Sequence, residues 1–261
     1  MAGFCFLYTI KKTMPRALKQ ILYGLFYSGI FVAIAWVFIF PRFVEVATCT
    51  DGVQNQNEVG IDCGGLCEDC ELKDLRLKSG GVEILGVGER SSLLVKVENP
   101  SKNFGALNVP YQFQITGLLG ESVETIEGEL NILENEEKYV AALGLNIEKK
   151  DIGGVIFSVG DFKFTPKADL FDYDVEIENV QTTFPEQVIE ARGFALNDSG
   201  SALPEIILTA LFYADDGDLV NVGTAILSNL GAFEKRDFVI SVPRNDSFVD
   251  PDQTEISWRV I

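Results

Sequence analysis

Residues 93–120 read LLVKVENPSKNFGALNVPYQFQITGLLG. Within this stretch, residues 93–98 and 111–115 alternate apolar with polar side chains, and turn residues follow at 99–101 and 117–120. Successive side chains of a strand point to opposite faces, so this period of two places the apolar side chains on one face. Asn-Pro and glycine-rich clusters interrupt strands. The stretch therefore predicts two β-strands, each with one buried face.

The same pattern continues from residue 72 to the C-terminus, with a turn signal about every eight to twelve residues. Residues 206–213 (IILTALFY) alternate less strictly, which predicts a strand that is buried on both faces or carries a bulge. No stretch after residue 41 has the period of an amphipathic helix. The other predicted strands cover residues 129–133, 155–159, 162–164, 171–177, 188–196, 219–222, 238–242 and 255–261.

The two halves of this region resemble each other at an offset near 97 residues, which predicts a tandem duplication. The alternative is coincidence, since Asn and Gly recur at turns of any all-β protein. We predict an all-β fold with two tandem antiparallel β-sandwiches, one over residues 72–167 and one over 168–261. The matching pairs are Asn99 with Asn197, Gly120 with Gly217, Val123 with Val220, Leu133 with Leu230, and Lys138 with Lys235.

The second half carries motifs at residues 197–200 (NDSG), 209–220 (TALFYADDGDLV) and 230–234 (LGAFE). In these motifs it resembles the FxLYD and late-embryogenesis-abundant-type immunoglobulin-like domains. The resemblance implies an immunoglobulin-like β-sandwich that acts as an extracytoplasmic accessory or binding module without catalytic residues. The first half matches at residues 97–101 and departs at 114–117, where QITG replaces the Phe-Tyr-Asp turn.

Near the N-terminus, residues 21–40 (ILYGLFYSGIFVAIAWVFIF) contain no charge. Twenty helical residues span about 30 Å, the thickness of the hydrocarbon layer of a bilayer. We predict an uncleaved transmembrane signal-anchor helix over residues 21–41. A buried helix of a soluble protein, a cleaved signal peptide and a lipoprotein are the alternatives.

Four basic residues precede this helix: Lys11, Lys12, Arg16 and Lys19. Lys and Arg next to a span stay on the cytoplasmic side, so residues 1–20 are predicted to be cytoplasmic and the C-terminal domains extracytoplasmic, in a single-pass protein of the cell membrane. Met1 and Met14 are alternative starts, and both give this topology.

The charge distribution and the missing histidine restrict the function. The net charge is -18, and residues 1–20 contribute four positive charges and no acid, so the rest of the chain carries -22. Such an acidic surface repels nucleic acid. Without histidine, Ser-His-Asp and Cys-His catalysis and imidazole-ligated metal sites are excluded. We predict that the protein is not an enzyme, although a Ser-Lys dyad or a carboxylate pair remains a formal alternative.

Four cysteines follow the hydrophobic segment within 22 residues, namely Cys49, Cys63, Cys67 and Cys70. Outside the cytoplasm such a cluster predicts two disulfides, with three alternative pairings. A zinc site is the competing interpretation. We predict that residues 42–71 form a cysteine-rich neck with too few large apolar residues for a core of its own. Cys5 is predicted to be a free thiol.

The neck also contains oxygen donors at Asp51, Asn55, Glu58 and Asp62, a set that suits a hard cation such as calcium. The alternative is that these side chains cap the turns of a disulfide-bonded loop. This stretch resembles Asp-Gly-x-x-Asn-x-x-Glu-x-x-x-Asp-Cys-Gly-Gly-x-Cys segments in surface proteins of small-genome candidate-phylum bacteria. The whole arrangement resembles envelope proteins of the same bacteria.

From these features we predict a non-catalytic, membrane-anchored interaction or scaffolding protein of the cell envelope, with proteins or glycans as partners. An extracytoplasmic ligand-binding or calcium-binding accessory or sensor subunit is the alternative. A divergent enzyme is the third hypothesis.

Overall fold

A computed structural model describes residues 15–39, 48–55, 57–171, 173–244 and 248–260. Lys11, Lys12, Met14, Cys5 and the C-terminal end of the predicted span therefore lie outside the described residues. The chain divides into two compact units with the boundary between Cys70 and Glu71, and each is described by itself.

The N-terminal unit contains one α-helix, α1, which spans Arg16–Ile39. Pro15 directly precedes it, a common position for proline because the first helical N–H groups have no partner within the helix. The carbonyl of Pro15 accepts hydrogen bonds from the N–H groups of Leu18 and Lys19. The helix begins five residues before the predicted span, and none of its described residues is buried. Its mean hydropathy of 2.0 and its length would allow it to cross a membrane.

Residues 71–261 are built mainly of antiparallel strands, which confirms the predicted all-β class. Two predicted strands are displaced: the strand expected from Phe171 begins at Val175, and the one expected at 162–164 lies at Phe164–Pro166. The strands are β1 Lys78–Ser79, β2 Glu83–Val87, β3 Arg90–Glu98, β4 Phe104–Gly117, β5 Ser122–Ile132, β6 Glu137–Leu145, β7 Ile152–Val159, β8 Phe164–Pro166, β9 Val175–Thr183, β10 Val188–Asn197, β11 Leu203–Tyr213, β12 Leu219–Leu230, β13 Lys235–Pro243 and β14 Thr254–Val260. Short 3₁₀ turns occur at Cys70–Lys73, Lys149–Asp151 and Lys167–Asp169.

The first sandwich is formed by β1–β8. In one sheet, β3 lies between β6 and the pair β1 and β2, and in the other, β4 lies between β5 and β7, with β8 also paired to β4. Side chains from both sheets share one core, in which Leu93 and Val95 of β3 meet Phe113 and Ile115 of β4, all at most 1% exposed.

The second sandwich, formed by β9–β14, repeats this topology, with the sheets β9-β10-β13 and β12-β11-β14. Its core again draws on both sheets, as with Ile189 of β10 and Leu208 of β11, which are fully buried.

The strand-pairing registers show the same repeat, but the residue that corresponds to Lys138 lies one position later than predicted. Val97 lies opposite Lys138 in β3 and β6, and Ala195 lies opposite Arg236 in β10 and β13. Lys138 therefore corresponds to Arg236, and its predicted match with Lys235 is wrong. Each of the two cations forms a 2.6 Å ion pair with the glutamate two residues before it. The predicted match of Gly120 with Gly217 is correct, since both occupy the same turn position with φ of 83° and 85°.

A buried asparagine fixes the same corner in both sandwiches. The side-chain amide of Asn99 donates to the carbonyls of Phe104 and Leu133 at 2.7 and 2.8 Å, and its oxygen accepts from the N–H of Ser101. Asn197 donates in the same way to Ser201 and Gly231, both at 2.8 Å. Both asparagines are 0% exposed. They satisfy backbone groups that would otherwise be buried without partners.

The two sandwiches meet through the outer faces of their neighbouring sheets. Leu85 and Leu94 of β2 and β3 form one buried cluster with Leu211 and Val222 of β11 and β12. This contact explains the weak alternation at 206–213, because both faces of β11 are buried. A register shift between Phe212 and Tyr213 adds the predicted irregularity.

Polar groups surround this apolar contact. Lys138 is 4% exposed, donates to the carbonyl of Trp258 at 2.7 Å, and places its ammonium 3.7 Å from the centre of the indole ring. Burial lowers the pKa of Lys138, and the adjacent Glu136 opposes this change. Burial also raises the pKa of both Tyr139 and Tyr213, which pack against the cluster. Arg259 of β14 donates to the carbonyl of Glu129 in β5 at 3.0 Å, which links the two sandwiches.

At several positions of this contact, the equivalent residues on the free outer faces are polar. Leu94 and Tyr139 correspond in register to Arg192 and Asp237 on the β9-β10-β13 sheet. Likewise, Leu211, Tyr213 and Val222 correspond to Gln114, Thr116 and Thr125 on the β5-β4-β7 sheet. At these five positions the free outer faces therefore lack the apolar side chains that join the two sandwiches.

We expect Asn197→Ala to lower the free energy of unfolding by about 3 kcal/mol, because it leaves buried carbonyls without a donor. Asp198→Ala, a change at the exposed neighbouring residue, is the control and should cost less than about 0.5 kcal/mol. Urea unfolding of the full chain measures both. Equal losses for the two variants would contradict the role of the buried amide.

We expect Leu94→Arg to destabilise both sandwiches together, by at least about 3 kcal/mol, because it buries an unpaired charge in their contact. Arg192→Leu makes the reverse change at the equivalent free position and should alter stability by less than about 0.5 kcal/mol. Calorimetry should show one unfolding transition for residues 71–261 in the unmodified chain. Two separate unfolding transitions, at temperatures that Leu94→Arg does not change, would contradict the coupling between the two sandwiches.

Candidate functional site in the cysteine-rich neck

Two disulfides cross-link the neck. Cys49 is bonded to Cys67 and Cys63 to Cys70, with Cα atoms 5.6 and 4.8 Å apart. This pairing is one of the three that the sequence left open. Because all four sulfur atoms are used in disulfides, none is available as a zinc thiolate, and the zinc interpretation is wrong.

Two glycines shape the loop between these bridges. Gly64 and Gly65 have φ of 77° and 66°, in the left-handed region that favours glycine. A Cβ atom on Gly65 would lie 2.4 Å from the carbonyl oxygen of Asn57, and one on Gly64 would lie 2.7 Å from the Cβ of Val59. Both contacts are shorter than side chains tolerate. The Cys-Gly-Gly sequence is therefore required for the loop to close.

Three of the four predicted cation ligands lie together. The amide nitrogen of Asn55 donates to Oδ2 of Asp51 at 2.9 Å, and Asp62 lies close enough to Asp51 to contribute to the lowering of its pKa. Asp62 also accepts the N–H of Gly52 on both oxygens, at 2.9 and 3.1 Å. The hydrogen bond from Asn55 is the main reason that the pKa of Asp51 lies below its ordinary value.

The fourth predicted ligand, Glu58, is placed differently. It is 7% exposed, and its Oε2 accepts the backbone N–H groups of Asn55 and Asp62, both at 3.2 Å. Its Oε1 lies 3.2 Å from Sγ of Cys67, which carries no hydrogen because it is in a disulfide. Glu58 therefore caps two turns of the loop. The alternative interpretation, in which these side chains cap the turns of a disulfide-bonded loop, predicts this role.

Among the described residues, Cys49, Glu58 and Cys67 are the group of acidic and sulfur side chains close enough together to share a metal ion. Two of its members are the disulfide partners, so it offers one carboxylate and no thiolate. Asp51, Glu58 and Asp62 are not gathered around one point in this way.

One polar atom of the neck has no partner: the side-chain oxygen of Asn55 is buried and accepts no hydrogen bond. Its amide nitrogen is bound to Asp51, so the oxygen belongs to the same side chain that contacts the acidic pair. A buried oxygen without a donor is costly, and water or a cation would relieve that cost.

Outside the neck, a groove of about 530 Å³ lies over β4, β5 and β7. The carboxylates that line it, Glu127 and Glu129, lie two residues apart on the exposed strand β5. Its described lining contains no lysine, so the Ser-Lys dyad has no counterpart there.

No family model matches the chain, and no curated protein matches it. The immunoglobulin-like resemblance therefore remains an expectation. The sequence did not indicate that Glu58 is buried against a disulfide. The signal that could have shown it is the position of Glu58 four residues before Asp62, which lets one carboxylate cap both turns.

We expect Gly65→Ala to prevent the native disulfide pairing, because its Cβ would collide with the backbone of Asn57. Gly52→Ala is the matched control, since Gly52 also has positive φ, 75°, but a Cβ there meets no atom within 4 Å. Peptide mapping of the oxidised chain should find mixed pairings for Gly65→Ala and the native bridges for Gly52→Ala. Native pairing in both variants would show that the loop does not need a glycine at 65.

Proposed function

We propose that this chain is a non-catalytic interaction or scaffolding protein of the cell envelope, anchored by α1 and displaying residues 42–261 outside the cytoplasm. The observation that carries the proposal is α1 itself. Its apolar side chains, such as Phe31 at 74% and Phe38 at 70% exposed, have no protein cover among the described residues. A bilayer would bury them.

The disulfides and the charge distribution both support an extracytoplasmic location for the residues after α1. Disulfides persist in oxidising compartments and are rare in the cytosol. The basic residues precede α1, whereas the -22 net charge follows residue 20. Both features agree with an inside N-terminus and an outside C-terminus.

The β-sandwiches supply the interaction surface in this proposal. Two sandwiches held by a buried apolar contact present rigid sheets, edges and turns on which proteins or glycans could be recognised. Because the described neck holds no thiolate and the chain holds no histidine, the proposal assigns no catalytic step.

A membrane-impermeant maleimide tests the topology. In intact cells, the variant Ser122→Cys should be labelled on its exposed sandwich residue, whereas Cys5 should react only after the membrane is permeabilised. The unmodified chain is the control and should show no label in intact cells. Labelling of Cys5 in intact cells, with Ser122→Cys protected, would reverse the proposed orientation.

As a second candidate, we propose that Asp51, Asn55 and Asp62 bind a calcium ion. The specific observation in its favour is the buried oxygen of Asn55, which accepts no hydrogen bond and belongs to the side chain that donates to Asp51. Carboxylate and amide oxygens are the ligands that calcium prefers. Glu58 would then hold the loop without contacting the ion.

Calorimetric titration of the full chain in detergent with calcium tests this site. We expect Asp62→Asn to weaken binding at least tenfold, because it removes a charge but keeps an acceptor for Gly52. Asp216→Asn, in the exposed turn between β11 and β12, should leave binding unchanged. If no heat is released or absorbed at millimolar calcium, the calcium site is excluded. The proposal of an anchored interaction protein is not affected by that result.

A further inference from the structure

The edges of the four sheets differ in how they are protected. Exposed strand edges are commonly blocked by charged side chains or covering groups, because their free N–H and C=O groups would otherwise pair with another chain. Among the described edge strands longer than three residues, β7 and β12 carry no charged residue. In contrast, β5 contains three glutamates and β13 contains Lys235, Arg236 and Asp237.

Of these two uncharged strands, β12 is closed by side chains of its own sandwich. Arg236 donates to the carbonyls of Ser228 and Asn229 at 2.7 and 2.9 Å. Asn221 donates to the carbonyl of Pro243 at 2.9 Å, which ties β12 to the end of β13. These hydrogen bonds cover two carbonyls of β12 and link the strand to β13 of the facing sheet.

The strand equivalent to β7 in the second sandwich, β14, is also closed. Lys138 donates to the carbonyl of Trp258, and Asn131 donates to that of Val260 at 3.3 Å. The first sandwich thus caps the outer edge of β14.

No such cap is described for β7. Its described pairing runs to β4 alone, and the N–H of Ile152 bonds within the preceding turn. The strand reads IGGVIFSV, with no proline. Ile156 is 60% exposed on its outer face, and Val155 and Phe157, which face the core, are only half-buried. The edge of the first sandwich is therefore left open along eight residues.

We propose that β7 pairs antiparallel with β7 of a second copy of this chain, joining the two β5-β4-β7 sheets across a two-fold axis. An antiparallel pair of identical edges is self-complementary, as a two-fold interface requires. Two chains that each carry -22 outside residues 1–20 repel each other, and an uncharged strand minimises that repulsion. Antiparallel pairing also directs Lys149, before the strand, toward Asp161, after the strand, of the second copy.

Other occupants fit the observations less well. An extended segment of an unrelated protein would supply the same backbone groups, but nothing in β7 selects its sequence. The dimer does not depend on whether α1 crosses a membrane.

Native mass spectrometry of the full chain in detergent, over a range of concentrations, tests the dimer. Ile156→Lys should weaken dimerisation at least tenfold, because it places two like charges beside the shared edge. Ile226→Lys is the matched control, since Ile226 on β12 is 58% exposed, and it should dimerise like the unmodified chain. Both variants carry α1, so association through the helix would affect them equally.

Hydrogen exchange provides the second readout. Amides of residues 152–159 should exchange more slowly in the unmodified chain than in Ile156→Lys at the same concentration. A monomeric unmodified chain, a dimer that persists in Ile156→Lys, or equal losses in both variants would overturn the proposal. A monomer whose β7 amides are not protected from exchange would also overturn the dimer, and the β7 edge would then be available to a strand of another protein.

Discussion

The apolar contact between the two sandwiches is the interaction on which the rest of residues 71–261 depends. It buries the outer faces of two sheets, so β3 and β11 have apolar side chains on both sides, with Leu94 and Leu211 at most 2% exposed. Either sandwich alone would expose that face to water. Lys138 is acceptable at the border because it finds a carboxylate, a carbonyl and an aromatic ring there.

The two halves share the groups that fix their backbones and differ in the residues on their outer faces. The buried asparagine corners and the glycine turns are reproduced, because each satisfies a backbone requirement that both sandwiches share. The contact positions are apolar in the two sheets that meet, and several equivalent positions, including Arg192 and Asp237, are polar in the two sheets that do not.

Much of the fold follows from the sequence, because strand periodicity, cysteine clustering and a charge-free segment are local signals. The off-by-one match at Lys138 arose because β12 has one more residue between Leu227 and Leu230 than β5 has between Leu130 and Ile132, which changes the offset between the halves. The disulfide pairing could not be predicted because the spacing of four clustered cysteines permits three pairings. The joining of the sandwiches depends on contacts distant in sequence, which periodicity does not encode. In the neck, the residue types predicted one set of oxygen ligands, but Glu58 is buried and accepts backbone N–H groups, which gives it a different role from Asp51 and Asp62.

The proposed function depends on an intact anchor that precedes an oxidised neck. The most direct test is the intact mass of the membrane-extracted protein after alkylation under denaturing conditions. Of the five cysteines, we expect one to be alkylated without reductant and five with it, on a chain that keeps α1. Five alkylated cysteines without reductant, or a mass lacking α1, would contradict the account.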